Sequence, residues 1–143
     1  MWEALYTGVT LAENPLSCII FSRNIINKFK RFSQLRNESG GLLLGYIRGL
    51  HFDVRYITTP CLKDISTPTS FERKDSFHLT KLNKFYKKTF GKIVYIGEWH
   101  THQEDYPKPS LIDINEWNNI KSERQYFVIF LIIGKKGFYI ERR

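Results

Sequence analysis

The chain is expected to fold as a mixed α/β protein, one sheet with helices packed against it. Strand-like runs such as "LSCIIF", "HFDVRYITT" and "YFVIFLII" recur along it, and helix-like segments separate them. Its 143 residues, 42% hydrophobic and 15% aromatic, can bury a core without staples. The length prior makes residues 1–143 a single domain.

Taken in order, "LSCIIF" (16–21) reads as a short strand. Ser22 then caps a helix to about Gln34 that presents Ile25, Phe29 and Phe32 on one face. "GGLLLGYIRG" and "HFDVRYITT" read as a hairpin turning at Arg48-Gly49, the second strand alternating Phe52, Val54 and Tyr56 with Asp53 and Arg55. From Pro60 to Ser76 the composition is polar, which predicts a long loop, a kind of segment that is often functional. In "LTKLNKFYKKTF" a stripe of Leu79, Leu82, Phe85, Tyr86 and Phe90 opposes Lys81, Lys84, Lys87 and Lys88, the pattern of a helix with a solvated basic face. "KIVYIGEWHTH" reads as a strand, 103–109 as a loop and Leu111 to Ser122 as a helix. "YFVIFLII", apolar on both faces, suits a strand covered on both sides. "GFYIER" closes the sheet after the turn from Gly134 to Gly137.

Several function classes are disfavoured at this level. The two cysteines, Cys18 and Cys61, form no C-x-x-C pair, which argues against cysteine-type structural zinc and against a disulfide framework. The N-terminus has neither a basic n-region nor an apolar h-region, and the apolar run 126–134 is too short to span a bilayer as a helix. A cytoplasmic protein is the expectation. The net charge of +8 raises the question of nucleic acid or an acidic partner, but the basic residues are scattered, as on an ordinary soluble surface.

The chemistry concentrates in "GEWHTHQEDYPKPSLIDINEW", residues 97–117. Side chains two apart on a strand share a face, so His100 and His102 can aim both imidazoles into one space. Two imidazoles and a carboxylate, here Asp113 from the next helix, suit a tetrahedral zinc ion with its fourth position left to water. Alone, Ser110-Leu111-Ile112-Asp113 is close to a capping box, and both roles can hold together. Metal-assisted hydrolysis also needs a base beside the water, for which Glu38 in "NESGGLLLG" is the candidate. Gly40 and Gly41 beside it permit close approach of a substrate or a neighbouring strand. Trp99 is expected to face away from His100, Trp117 to pack in the core, and His51 and His78 to be surface or helix-start residues.

Glu38, His100-Thr101-His102, seven residues and Ser110-x-x-Asp113 together resemble the signature of the JAMM (MPN+, JAB domain) metallopeptidases, E…H-[ST]-H-x7-S-x-x-D. The resemblance covers roughly Leu16 to Ile140 and implies a JAB/MPN-type, cytidine-deaminase-like sheet flanked by helices. It further implies zinc on His100, His102 and Asp113, Glu38 as general base and Ser110 as donor to the oxyanion. One position departs: many members have proline after the second histidine, where this chain has Gln103, followed by Pro107 and Pro109. The implied substrate is the tail of a ubiquitin-like or otherwise conjugated protein. "GEWHTH" and "STPTSFER" are similar to the deconjugating peptidases of bacterial CBASS antiphage operons, which work beside an E1–E2-like ligase and a cyclic-nucleotide synthase. Alternatives are a JAMM peptidase of another ubiquitin-like or sulfur-carrier pathway, a RadC-like nucleic-acid-associated JAB domain, and a metal-free MPN scaffold. The last is disfavoured because no ligand position is lost.

Overall fold

The computed structural model describes residues 9–10 and 17–143. The reading of the N-terminal segment, including Leu16 of the first predicted strand, therefore lies outside the described residues, Val9 and Thr10 excepted. The described elements are β1 (Val9–Thr10), β2 (Cys18–Phe21), α1 (Arg23–Ser33), β3 (Gly40–Arg48), β4 (His51–Ile57), β5 (Ile65–Thr67), β6 (Ser70–Glu72), α2 (Phe77–Lys88), β7 (Val94–Thr101), α3 (Leu111–Ser122), β8 (Ile129–Ile133) and β9 (Phe138–Arg142).

Seven strands form one mixed sheet in the order β1-β2-β4-β3-β7-β8-β9, and β5 and β6 make a separate hairpin. β2 runs parallel to β4 and β7 parallel to β8, the latter pair joined by the crossover helix α3. Every residue of β8 is buried, as its two-faced apolar sequence requires. The two faces of the sheet carry separate cores. Ile25, Ile26 and Phe29 of α1 meet Leu43, Ile96, Trp99 and Leu131 on one face. Leu42, Tyr95, Phe130 and Ile132 face the other way, against Trp117 and Ile120 of α3 and Leu82 and Phe85 of α2. The alternation of Leu42 with Leu43 across the pleat thus assigns α1 to one side and α2 and α3 to the other.

Local signals set the helix ends. Ser22 Oγ accepts from Ile25 N at 3.4 Å to start α1. The hairpin from β3 to β4 turns through Gly49 at φ 61°, in the left-handed region open to glycine. No helix among the described residues is long and apolar enough to cross a membrane.

Four expectations change. The Pro60–Ser76 loop contains the β5–β6 hairpin, whose three-residue strands are too short to show a period. The alternation of β4 breaks at a bulge opposite Leu44 and Gly45. Tyr56 therefore leaves the face of Phe52 and Val54, is 40% exposed, and stacks on Phe85 at 3.8 Å. Leu79 and Tyr86 of α2 are outside at 52% and 50% exposure, and Phe90 falls beyond the helix end at 94%, so the apolar stripe reduces to Leu82 and Phe85. His78, expected at the surface or a helix start, does open α2 but is fully buried, held by two polar partners described below.

Candidate metal centre

The register between β3 and β7 builds the site. Gly40 pairs with His100 and Gly41 with Trp99. Continuing the register outward puts Ser39 opposite Thr101 and Glu38 opposite His102. Thr101 secures that extension, its N–H donating to Ser39 O at 2.8 Å and its Oγ1 accepting from Ser39 N at 2.9 Å. A hydroxyl between the two histidines thus fixes the neighbour of Glu38 while both imidazoles point the other way. Trp99, also on the opposite face, is 1% exposed against Phe29 and Phe32, as expected. The glycines are required by proximity: a Cβ at Gly41 would lie 2.2 Å from Thr58 O, and one at Gly40 2.5 Å from Phe71. The close approach is therefore by neighbouring chain.

α3 brings the third group. Ser110 Oγ accepts from Asp113 N at 3.1 Å and Asp113 Oδ2 accepts from Ser110 N at 2.7 Å, a complete capping box. The same carboxylate reaches both rings, with Oδ1 3.2 Å from His100 Nε2 and Oδ2 3.3 Å from His102 Nε2. The two Nε2 atoms are 3.0 Å apart. Two imidazole nitrogens and a carboxylate converge on one point, with side chains 11–15% exposed. That donor set and its half-open setting fit a zinc ion with a vacant fourth position. Cap and candidate ligand are one residue, so both readings of Asp113 hold geometrically.

The electrostatics follow from burial and from these contacts. Glu38 is 6% exposed; burial, partly countered by His102 and reinforced by Asp113 and Glu104, pushes its carboxyl up to about 7. A cation held beside it would draw that value down again. For His102, burial disfavours the charged ring, but the Asp113 hydrogen bond and the charges of Glu38, Asp113 and Glu104 outweigh it and raise the pKa. Asp113 is buried too, yet the bonds from His100 and His102 hold it well below the usual carboxylate range.

A cleft of about 770 Å³ opens over this point. Its walls include Glu38, His100, His102, Ser110 and Asp113, the five residues singled out in the sequence, together with the hairpin's turn and second strand from Pro68 to Arg73. Sequence reading missed the hairpin's hold on Glu38. Glu38 N donates to Thr67 O at 2.8 Å, and Ser66 Oγ donates to Glu38 O at 2.5 Å. It also missed Glu104, whose Oε2 lies 3.9 Å from His102 Nδ1. A carboxylate two residues past the second histidine was the available signal. Gln103, the departure from the signature, donates from Nε2 to Leu35 O at 2.8 Å. The loop after it is fixed by bonds from Lys135 N to Glu104 O and from Lys136 N and Gly137 N to Asp105 O.

The chain thus combines a mixed sheet with helices on both faces and a His-His-Asp point at the end of a strand. A solution structure of a Desulfitobacterium hafniense protein matches at TM-score 0.58 and 20% identity over 86% of this chain and 89% of that one, a likeness of fold. A sequence profile described as prokaryotic homologs of the JAB domain matches residues 29–142, and the chain belongs to that family. It is similar to proteins named CD-NTase/cGAS isopeptidase from three bacteria. The Escherichia coli protein is 38% identical over 82% of this chain and 75% of its own length. The Vibrio cholerae protein is 32% identical over 87% and 81%, and the Pseudomonas aeruginosa protein 33% over 91% and 85%.

Proposed function

We propose that this chain is a zinc-dependent isopeptidase of CBASS antiphage defence that removes a protein conjugate from a cyclic-nucleotide synthase. The observation that carries the reading is the convergence of His100, His102 and Asp113 beside the buried Glu38 in one cleft. The names of the relatives supply the substrate class. Residues 1–143 act as one cytoplasmic domain beside an E1–E2-like ligase.

Zinc bound to His100, His102 and Asp113 would polarise the scissile carbonyl and lower the pKa of water toward about 7. Glu38 takes a proton from the attacking water and passes it to the leaving amine nitrogen as the C–N bond breaks. Ser110 Oγ accepts from Asp113 N, so its own proton remains to be donated to the developing oxyanion. β6 of the hairpin and α3 wall the cleft, in which an extended tail can lie along the hairpin's edge, β7 being paired on both sides.

The RadC-like alternative fits less well. Six carboxylates line the cleft (Glu38, Glu72, Glu98, Glu104, Asp113, Glu116) against one guanidinium, Arg73, a poor setting for phosphates despite the net charge of +8.

The deciding experiment is elemental analysis of the wild type beside His102→Ala, followed by incubation with a synthase joined through its C-terminus to a lysine of a reporter protein. About one zinc per chain, lost in the variant, and release of reporter by the wild type alone are expected. A metal-free wild type after reconstitution would overturn the reading.

A further inference from the structure

Beneath the β5–β6 hairpin lies a second buried polar cluster that this reaction does not use directly. The Asp64 side chain, 1% exposed on a half-buried residue, meets the fully buried His78 ring with Oδ2 2.7 Å from Nε2. Asp64 Oδ2 also accepts from Cys61 N at 2.7 Å, and its Oδ1 accepts from Lys74 N and Asp75 N, both at 2.8 Å. Asp64 immediately precedes β5, and Lys74 and Asp75 follow β6 after one residue, so this single carboxylate clasps the neck of the hairpin. The other ring nitrogen, His78 Nδ1, lies 2.5 Å from Thr58 Oγ1. Thr58 Oγ1 in turn accepts from Leu42 N at 2.7 Å, and Thr58 O accepts from Trp99 Nε1 at 3.0 Å.

A consistent proton arrangement starts from the carboxylate, which can only accept: His78 Nε2–H donates to Asp64, Nδ1 of that tautomer accepts from the Thr58 hydroxyl, and Thr58 Oγ1 accepts from Leu42 N. The clasp is thereby wired to β3 and β7, the strands that carry the candidate site.

Cys61, Asp64 and His78 also lie close enough together to suggest a metal. The hydrogen bonding speaks against it. A carboxylate has about four lone-pair positions, and four donors occupy those of Asp64. The Cys61 thiol is spent on Thr59 O at 3.2 Å.

The hairpin that this clasp orients is also the one that grips Glu38 from both sides of its backbone, through Thr67 O and Ser66 Oγ. We propose that Asp64 and His78 are positioning residues: they fix the hairpin against β3 and β7, and through it set the place of the Glu38 carboxylate. This rests on the isopeptidase reading and on Glu38 as its base. Displacing a catalytic group by about 1 Å can cost on the order of 10²-fold, so a loose neck should be read in turnover.

The test compares wild type, Asp64→Asn and His78→Gln, with Ser66→Ala as a milder variant at the half-buried hairpin that cuts the grip and leaves the clasp intact. Zinc content, kcat and KM on the reporter conjugate and hydrogen exchange are measured on each. A roughly 10- to 100-fold fall in kcat is expected in the clasp variants, with KM changed less and wild-type zinc retained. Ser66→Ala should fall in the same direction by less. Amides of 36–40 and 65–72 should exchange faster in the clasp variants while those of 98–115 stay protected, a local change that general destabilisation would not produce. Wild-type kcat in the clasp variants, or uniform exchange across the chain, would overturn the proposal. So would a second zinc in the wild type that Asp64→Asn removes. A wild type without activity would instead sink the isopeptidase reading, and the exchange result would still report on the clasp.

Discussion

Glu38 has its raised proton affinity because burial withholds water from the carboxylate, an effect invisible in the local sequence "RNESGG". Glu38→Gln keeps the shape and removes the base. It should retain zinc and lose roughly 10²–10⁴ in rate, checked by metal analysis beside single-turnover assays. Ser110 and Asp113 share a capping box, so their variants separate structure from chemistry. Ser110→Ala should cost about 0.5–2 kcal/mol in chemical denaturation and about 10²–10³ in rate, with zinc unchanged. Asp113→Ala should lose the cap and the zinc together. His100, His102, Ser110 and Asp113 were legible because a strand period of two and a helix cap bring side chains together over short spans, whereas Glu38 was legible only through the signature it completes. Glu104 and the tie from Thr101 to Ser39 were not, since each depends on a partner supplied by a turn or another strand.

The elements add tolerances that single residues do not show. A methyl at Gly41 would sit 2.2 Å from a backbone oxygen, which cannot rotate away. Gly41→Ala should therefore cost about 1–3 kcal/mol, read as a lowered Tm, and shift β3 against the Thr58 segment. The hairpin neck brings a pH dependence. Burial alone would raise the Asp64 carboxyl, but the N–H of Asp75, the His78 ring and the N–H groups of Cys61 and Lys74 hold it down to about 2, against the ordinary 3.8. A folded value below the unfolded one gives stability that is complete above the unfolded value and is lost as pH falls through the folded one. The stability gap between wild type and Asp64→Asn should thus be widest near neutral pH and shrink as pH drops from 3.8 toward 2, as measured by denaturant titration at each pH. The helices α1 and α3 were readable from capping serines, Ser22 and Ser110. The hairpin and the buried face of α2 were not, because three-residue strands show no period and a helix whose most buried side chain is a histidine misleads a hydrophobic count.

At the scale of the whole molecule, the two cores on opposite sheet faces hold the strand register that brings Glu38 to His102. A metal at that junction would be held by groups that meet only in the folded chain, so it should stabilise by mass action, about 2.7 kcal/mol at a hundredfold excess over Kd. Chelation should lower the Tm of the wild type and leave His102→Ala unmoved, which calorimetry with and without chelator would show. The chain by itself determined the mixed α/β class, the caps of α1 and α3, the two-faced strand β8 and the candidates His100, His102, Ser110 and Asp113. Those are consequences of local geometry, written within a few residues of one another. Only tertiary structure decided that Glu38, more than sixty residues before His100, ends opposite His102, that an unrecognised hairpin holds it there, and that His78 is a buried partner of Asp64. Each depends on strand register and on the desolvation of polar groups by distant segments, and neither is set until the sheet is assembled.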